Sequence, residues 1–90
     1  MGLLSEIFKS GQQGQIAGIE SQIKSLQYLI ERAKYNIEQY RRQSAMTKDK
    51  RTKESCKIQI ERLKNEISRN KELIASNKEW IKRIKAQNKK

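Results

Sequence analysis

The sequence predicts an all-α fold, an antiparallel two-helix hairpin of coiled-coil type, and three observations predict it. The first is periodicity. Ile16, Ile23, Ile30 and Ile37 recur every seventh residue, as do Ile60, Ile67, Ile74 and Ile81. Ile19, Leu26, Ala33 and Tyr40 accompany the first set; Cys56, Leu63, Asn70, Asn77 and Ile84 accompany the second. In heptad lettering these are a and d positions, the stripe that one helix buries against another. The second observation is the absence of breakers. The 90 residues include no proline, and the four glycines stand at 2, 11, 14 and 18, so nothing interrupts a helix from Ile19 onward.

The third observation is a break in phase. Continuing the first register beyond Tyr40 places d positions at Thr47 and Glu54, whereas the second block has Cys56 at d, two residues late. At about 100° per residue, two residues rotate the apolar stripe nearly to the opposite face. A single rod would then need partners on both sides, and a chain reversal between Ser44 and Lys53 removes that need. The segment has no glycine or proline to force a turn, which keeps one continuous helix as the competing reading. Thr47, Asp49 and Thr52 are each suitable N-caps for a second helix.

The elements follow in order. Residues 1–10 form a short amphipathic segment carrying Leu3, Leu4, Ile7 and Phe8. Ser10 with Gln13 three residues later has the form of a capping box, and Gly14 and Gly18 weaken the turn after it, so helix one is expected to begin at about 12–16 and end near 46. The turn is expected at about 47–50 and helix two at about 50–88, making 11–90 the hairpin. Antiparallel pairing layers Ile16 on Ile84, Ile19 on Ile81, Leu26 on Ile74, Ile37 on Leu63 and Tyr40 on Ile60. A shift by one heptad preserves these layers almost as well. The chosen register also brings together Leu29 and Leu73, both at g positions.

Two layers are imperfect, because Asn70 faces Ile30 and Asn77 faces Ile23. Each amide either reaches water from a half-open seam or hydrogen-bonds across a subunit boundary. Leu29, Leu73 and Trp80 widen the apolar stripe along one edge. With Asn70 and Asn77 they form a predicted association face, most simply a homodimer that makes a four-helix bundle. Leu3, Leu4, Ile7 and Phe8 offer another use, folding back over Trp80 or entering a membrane interface.

The net charge is +11, distributed as 0 over residues 1–15, +2 over 16–43, +3 over 44–57 and +6 over 58–90. Arg41, Arg42, Lys48, Lys50, Arg51 and Lys53 form a basic cluster at the turn. Lys57, Lys64, Lys71, Lys78 and Lys85 occupy every e position of helix two. The facing e positions of helix one are Glu20, Gln27, Lys34 and Arg41, of which only Glu20 is complementary. Internal pairing therefore does not account for the row. It reads either as a solvated face whose methylene stems cover the seam or as a stripe for an anionic partner.

Enzyme chemistry has little to work with here. There is no histidine, no glycine-rich phosphate loop and one cysteine, and Cys56 at a d position reads as a small buried hydrophobe. No cofactor, metal or small-molecule substrate is expected. The apolar runs are far short of the roughly 20 residues of a membrane span. No secretory signal is evident, and a cytoplasmic location is the expectation. Met1-Gly2 opens like an N-myristoylation site, but Glu6 stands where that motif needs Ser or Thr. The functional expectation is a non-enzymatic assembly or adaptor module docking on an acidic partner surface. The alternatives are sequence-independent contact with the nucleic-acid phosphate backbone and, behind it, peripheral membrane binding through the N-terminal segment.

Overall fold

The computed structural model describes the backbone of residues 2–88 and the side chains of 13–87. It contains two α-helices, α1 from Gly2 to Met46 and α2 from Lys50 to Asn88, packed against each other along their lengths. The hairpin measures 73 × 16 × 13 Å. The phase break of the heptads is thus resolved by reversal, and the continuous rod is excluded.

The reversal takes three residues, Thr47, Lys48 and Asp49, with no residue at positive φ. Side chains do what glycine does elsewhere. Thr47 Oγ1 accepts a hydrogen bond from the Asp49 amide at 3.2 Å, which folds the chain after α1. Asp49 then caps α2: its Oδ1 accepts from the Arg51 amide at 3.1 Å, and its Oδ2 from the Thr52 hydroxyl at 3.0 Å. Its carbonyl accepts the first helical bond, from the Lys53 amide at 3.1 Å. Of the three cap candidates, Asp49 is chosen because one carboxylate satisfies both an orphan amide and the hydroxyl one turn on. Asp49→Ala should lower stability by about 1 kcal/mol, a typical N-cap loss, read by urea denaturation.

Helix α1 begins at Gly2 and runs unbroken through the Ser10–Gly14 stretch, ahead of the start near 12–16 that the capping pattern suggests. Glycine raises the cost of a helical turn without forbidding it, and no proline follows to end the helix. A Cβ added at Gly14 or Gly18 meets nothing within 4 Å. Gly14→Ala and Gly18→Ala should therefore each stabilise the hairpin by up to about 1 kcal/mol, the intrinsic helix-propensity difference. Thermal melts check this, with an expected rise of about 4–8 °C per kcal/mol.

The core is the predicted seam. Ile19, Ile23, Ile30, Ala33, Ile37, Cys56 and Ile84 are buried, each at an a or d position. Ile19, Ile23 and Ile84 form one cluster, with Ile16, Ile74 and Ile81 packed on it. That grouping supports the chosen register, since the shifted one would carry Ile84 beyond Ile16 toward Lys9. Each fully buried isoleucine contributes roughly 1.5–3 kcal/mol.

The two helices do not share burial equally. The a residues of α1 at 23, 30 and 37 are buried, but those of α2, Ile60, Ile67, Ile74 and Ile81, are only half-buried. In heptad geometry a residues border the e edge and d residues border the g edge. All four a residues of α2 are thus partly open beside the edge that carries the lysines, and Leu63 and Asn77 among its d residues are partly open as well.

Candidate functional site

The hairpin presents two edges of opposite character. Along the e edge, Lys57, Lys64, Lys71, Lys78 and Lys85 are all exposed, one per two turns. At 1.5 Å per residue they recur every ~10.5 Å and span about 42 Å. Lys64 lies 3.9 Å from Glu61 in an exposed contact. Among the described residues no ion pair holds Lys57, Lys71, Lys78 or Lys85. The other pairs, Lys34–Glu31, Arg42–Glu38 and Arg83–Glu79, are exposed i,i+3 or i,i+4 contacts that contribute little to stability. Glu38–Arg42 and Glu79–Arg83 are pairs that helical spacing predicts.

Near the turn the lysine edge deepens into an open groove. Arg41, Lys50, Lys53, Lys57 and Lys64 surround it, and Ile60 forms part of its wall. Glu54 and Glu61 lie on the same groove, so cations outnumber carboxylates five to two. The basic turn cluster is thereby divided. Arg41, Lys50 and Lys53 join the lysine row, whereas Arg42 lies by Gln39, Met46 and Thr47, and Arg51 by Tyr40 and Cys56. Lys48 is exposed in the connection itself. Sequence proximity had grouped residues that the helical twist sends to different sides.

The g edge carries the predicted association face. Leu29, Leu73 and Trp80 are 40%, 47% and 50% exposed, and Tyr28 and Tyr35 lie outward on α1. Leu73 and Asn77 of α2 line a groove with Ser21, Gln22, Ser25 and Leu26 of α1, and none of these side chains is charged. Asn70 differs from Asn77. It is 7% exposed, and its Nδ2 is buried without a hydrogen-bond partner. Of the two fates foreseen for the seam amides, the half-open one fits Asn77, while Asn70 is enclosed. The side chains of Leu3, Leu4, Ile7 and Phe8 lie outside the described residues, and with them their predicted fold-back or membrane contact.

Among the described residues, no group of three His, Cys, Asp or Glu side chains is placed to hold a metal ion. Cys56 is buried at its d position as a free thiol. No described helix is long and apolar enough to cross a membrane. No protein family matches the chain, and comparison with curated proteins and with solved structures finds no similar protein.

What the heptad pattern did not reveal is the exposure of Ile60, Ile67, Ile74 and Ile81. By letter they are core residues equivalent to Ile23 and Ile30. The residues available to cover them on the facing edge are the e residues of α1 (Glu20, Gln27, Lys34 and Arg41), all of which are exposed. The signal available was compositional: none of these four is apolar, so no side chain at α1's e positions is suited to closing that edge.

Proposed function

We propose that the protein is a non-enzymatic docking module whose lysine edge binds an acidic, amphipathic helix of a partner protein. One observation carries the reading: half-buried Ile60, Ile67, Ile74 and Ile81 run beside the exposed Lys57, Lys64, Lys71, Lys78 and Lys85 on the same helix. A partner helix with apolar residues at heptad spacing would complete the isoleucine stripe, and carboxylates beside them would meet the lysines. The repeat is shared, because any α-helix advances about 10.5 Å per heptad. Charge would steer the encounter, and the apolar contact would supply most of the affinity. In this reading the working unit is a pair of hairpins forming a four-helix bundle, with one lysine edge on each.

A phosphate backbone is the second reading, favoured by the groove at the turn, where five cations meet two carboxylates. Phosphates would satisfy the lysines but leave the isoleucines uncovered, and no aromatic side chain stands on that edge to stack a base. The distinguishing experiment titrates three probes into the protein over a salt series: an acidic amphipathic heptad peptide, duplex DNA and single-stranded RNA. The peptide should bind, and part of its affinity should survive at high salt because apolar contact is not screened. Binding of DNA or RNA alone, with a logarithmic salt slope of about −0.9 per phosphate neutralised on a duplex, would replace the protein-docking reading with the nucleic-acid one.

A further inference from the structure

We infer that the g edge, opposite the lysines, is the surface on which a second copy of this chain docks, burying Leu29, Leu73 and Trp80 of each copy. The inference rests on the paired-hairpin part of the reading above and is independent of what the lysine edge binds. Three observations lead to it. The first is area. One chain exposes 7640 Å², whereas a compact folded monomer of its 10.6 kDa mass exposes about 5,500 Å². The surplus of roughly 2,000 Å² is spread over the whole 73 Å hairpin, and it leaves room for the roughly 1,000–2,500 Å² per chain that an obligate homodimer buries.

The second observation is charge. Two chains of net charge +11 repel each other, so they can meet closely only where cations are sparse. The lysine edge is the worst such place. The groove formed by Leu26, Leu73 and Asn77 with Ser21, Gln22 and Ser25 has no charged side chain in its lining. The third observation is the chemistry of that edge. Leu73, 47% exposed, lines this groove; Leu29 at 40% and Trp80 at 50% are the other open apolar side chains at g positions, and Trp80 shares a neighbouring cleft with Asn77, Glu79 and Arg83. Asn77 stands in the groove with amide donors and an acceptor, and a two-fold arrangement presents the same polar groups of the second copy to it. The result is an isologous four-helix bundle with its lysine edges facing outward.

Self-docking and anion docking then have opposite salt responses. Salt screens the repulsion between two cationic copies and strengthens the homodimer, while it weakens any contact between the lysines and an anion. The experiment is sedimentation equilibrium of the full chain without any partner, between about 0.01 and 1 M salt, over which the Debye length falls from about 30 to about 3 Å. The expected mass is twice that of one chain, with association increasing as salt rises and Trp80 emission shifting to the blue with concentration. Leu73→Asp should weaken association by at least about 100-fold, equivalent to about 2.7 kcal/mol, with helical circular dichroism retained. Leu29→Gln, a milder polar change at a residue already 40% exposed, guards against a folding defect in the first variant and should weaken association in the same direction. A one-chain mass at every salt concentration would overturn the inference, as would a helical Leu73→Asp protein that dimerises like the parent. Association that falls with salt would also overturn it, because the interface would then be ionic.

Discussion

Reversing the charge of Lys57, Lys64, Lys71 and Lys78 to glutamate should abolish binding of an acidic amphipathic helix, with an affinity loss greater than about 1,000-fold. The size follows from Coulombic interaction at a partly exposed surface. Each exposed pair contributes up to about 1 kcal/mol, and its replacement by a like-charge contact adds a repulsion of similar size. Four positions acting together therefore exceed the roughly 4 kcal/mol that corresponds to three orders of magnitude. All four side chains are exposed, and only Lys64 is held by an ion pair among the described residues, so the fold should lose little. Calorimetric titration of the variant beside its thermal melt checks both halves. Retained affinity in a folded variant would remove the lysine edge from the binding surface.

Asn70→Leu should stabilise the hairpin by about 2 kcal/mol. The wild-type amide is 7% exposed with Nδ2 unpartnered, at a d position of the seam. A buried polar group without a hydrogen bond costs about 1–3 kcal/mol, and leucine, which has the same branching but is larger, removes that cost and adds apolar contact where the half-open seam can accept it. The expected rise in melting temperature is about 8–16 °C. The gain should carry a loss of specificity. With isoleucine and leucine filling more layers, the one-heptad shift becomes more nearly degenerate, which is the usual consequence of removing a polar residue from a coiled-coil core. Cysteine crosslinking between positions 19 and 81 should be a single register in the parent and mixed in the variant. If Asn70→Leu destabilises the hairpin instead, the amide has a partner in solution that offsets its burial.

The hairpin was legible because it depends on a quantity that sequence carries, the phase of the apolar stripe. Two inserted residues before Cys56 turn that stripe by more than half a revolution, and no nearby residue can compensate. The seam was legible for the same reason, and every residue buried in it, Asn70 included, stands at a predicted a or d position. The start of α1 was not. Whether a helix continues through Gly11, Gly14 and Gly18 is a balance of about 1 kcal/mol per residue, smaller than the information in a capping pattern. The turn was located, but its mechanism was not fixed, because Thr47, Asp49 and Thr52 are all competent caps and their difference is geometric.

The candidate site was half legible. The lysine row is a strict heptad and could be read directly. The partial exposure of the isoleucines beside it could not, because an a position is core by pattern and the pattern does not say how much of it stays open. Division of the turn cluster into Arg41, Lys50 and Lys53 on one side and Arg42 and Arg51 on another also needs three dimensions. Adjacent helical residues point about 100° apart.

The most direct test of the docking account is a nuclear magnetic resonance titration of the isotope-labelled chain with an acidic amphipathic heptad peptide. Signals should move at Ile60, Ile67, Ile74 and Ile81 methyls and at the neighbouring lysine side chains, while the Trp80 indole and the Leu29 and Leu73 methyls stay in place. Movement confined to Trp80, Leu29 and Leu73, with the isoleucine methyls of α2 unperturbed at saturation, would contradict it.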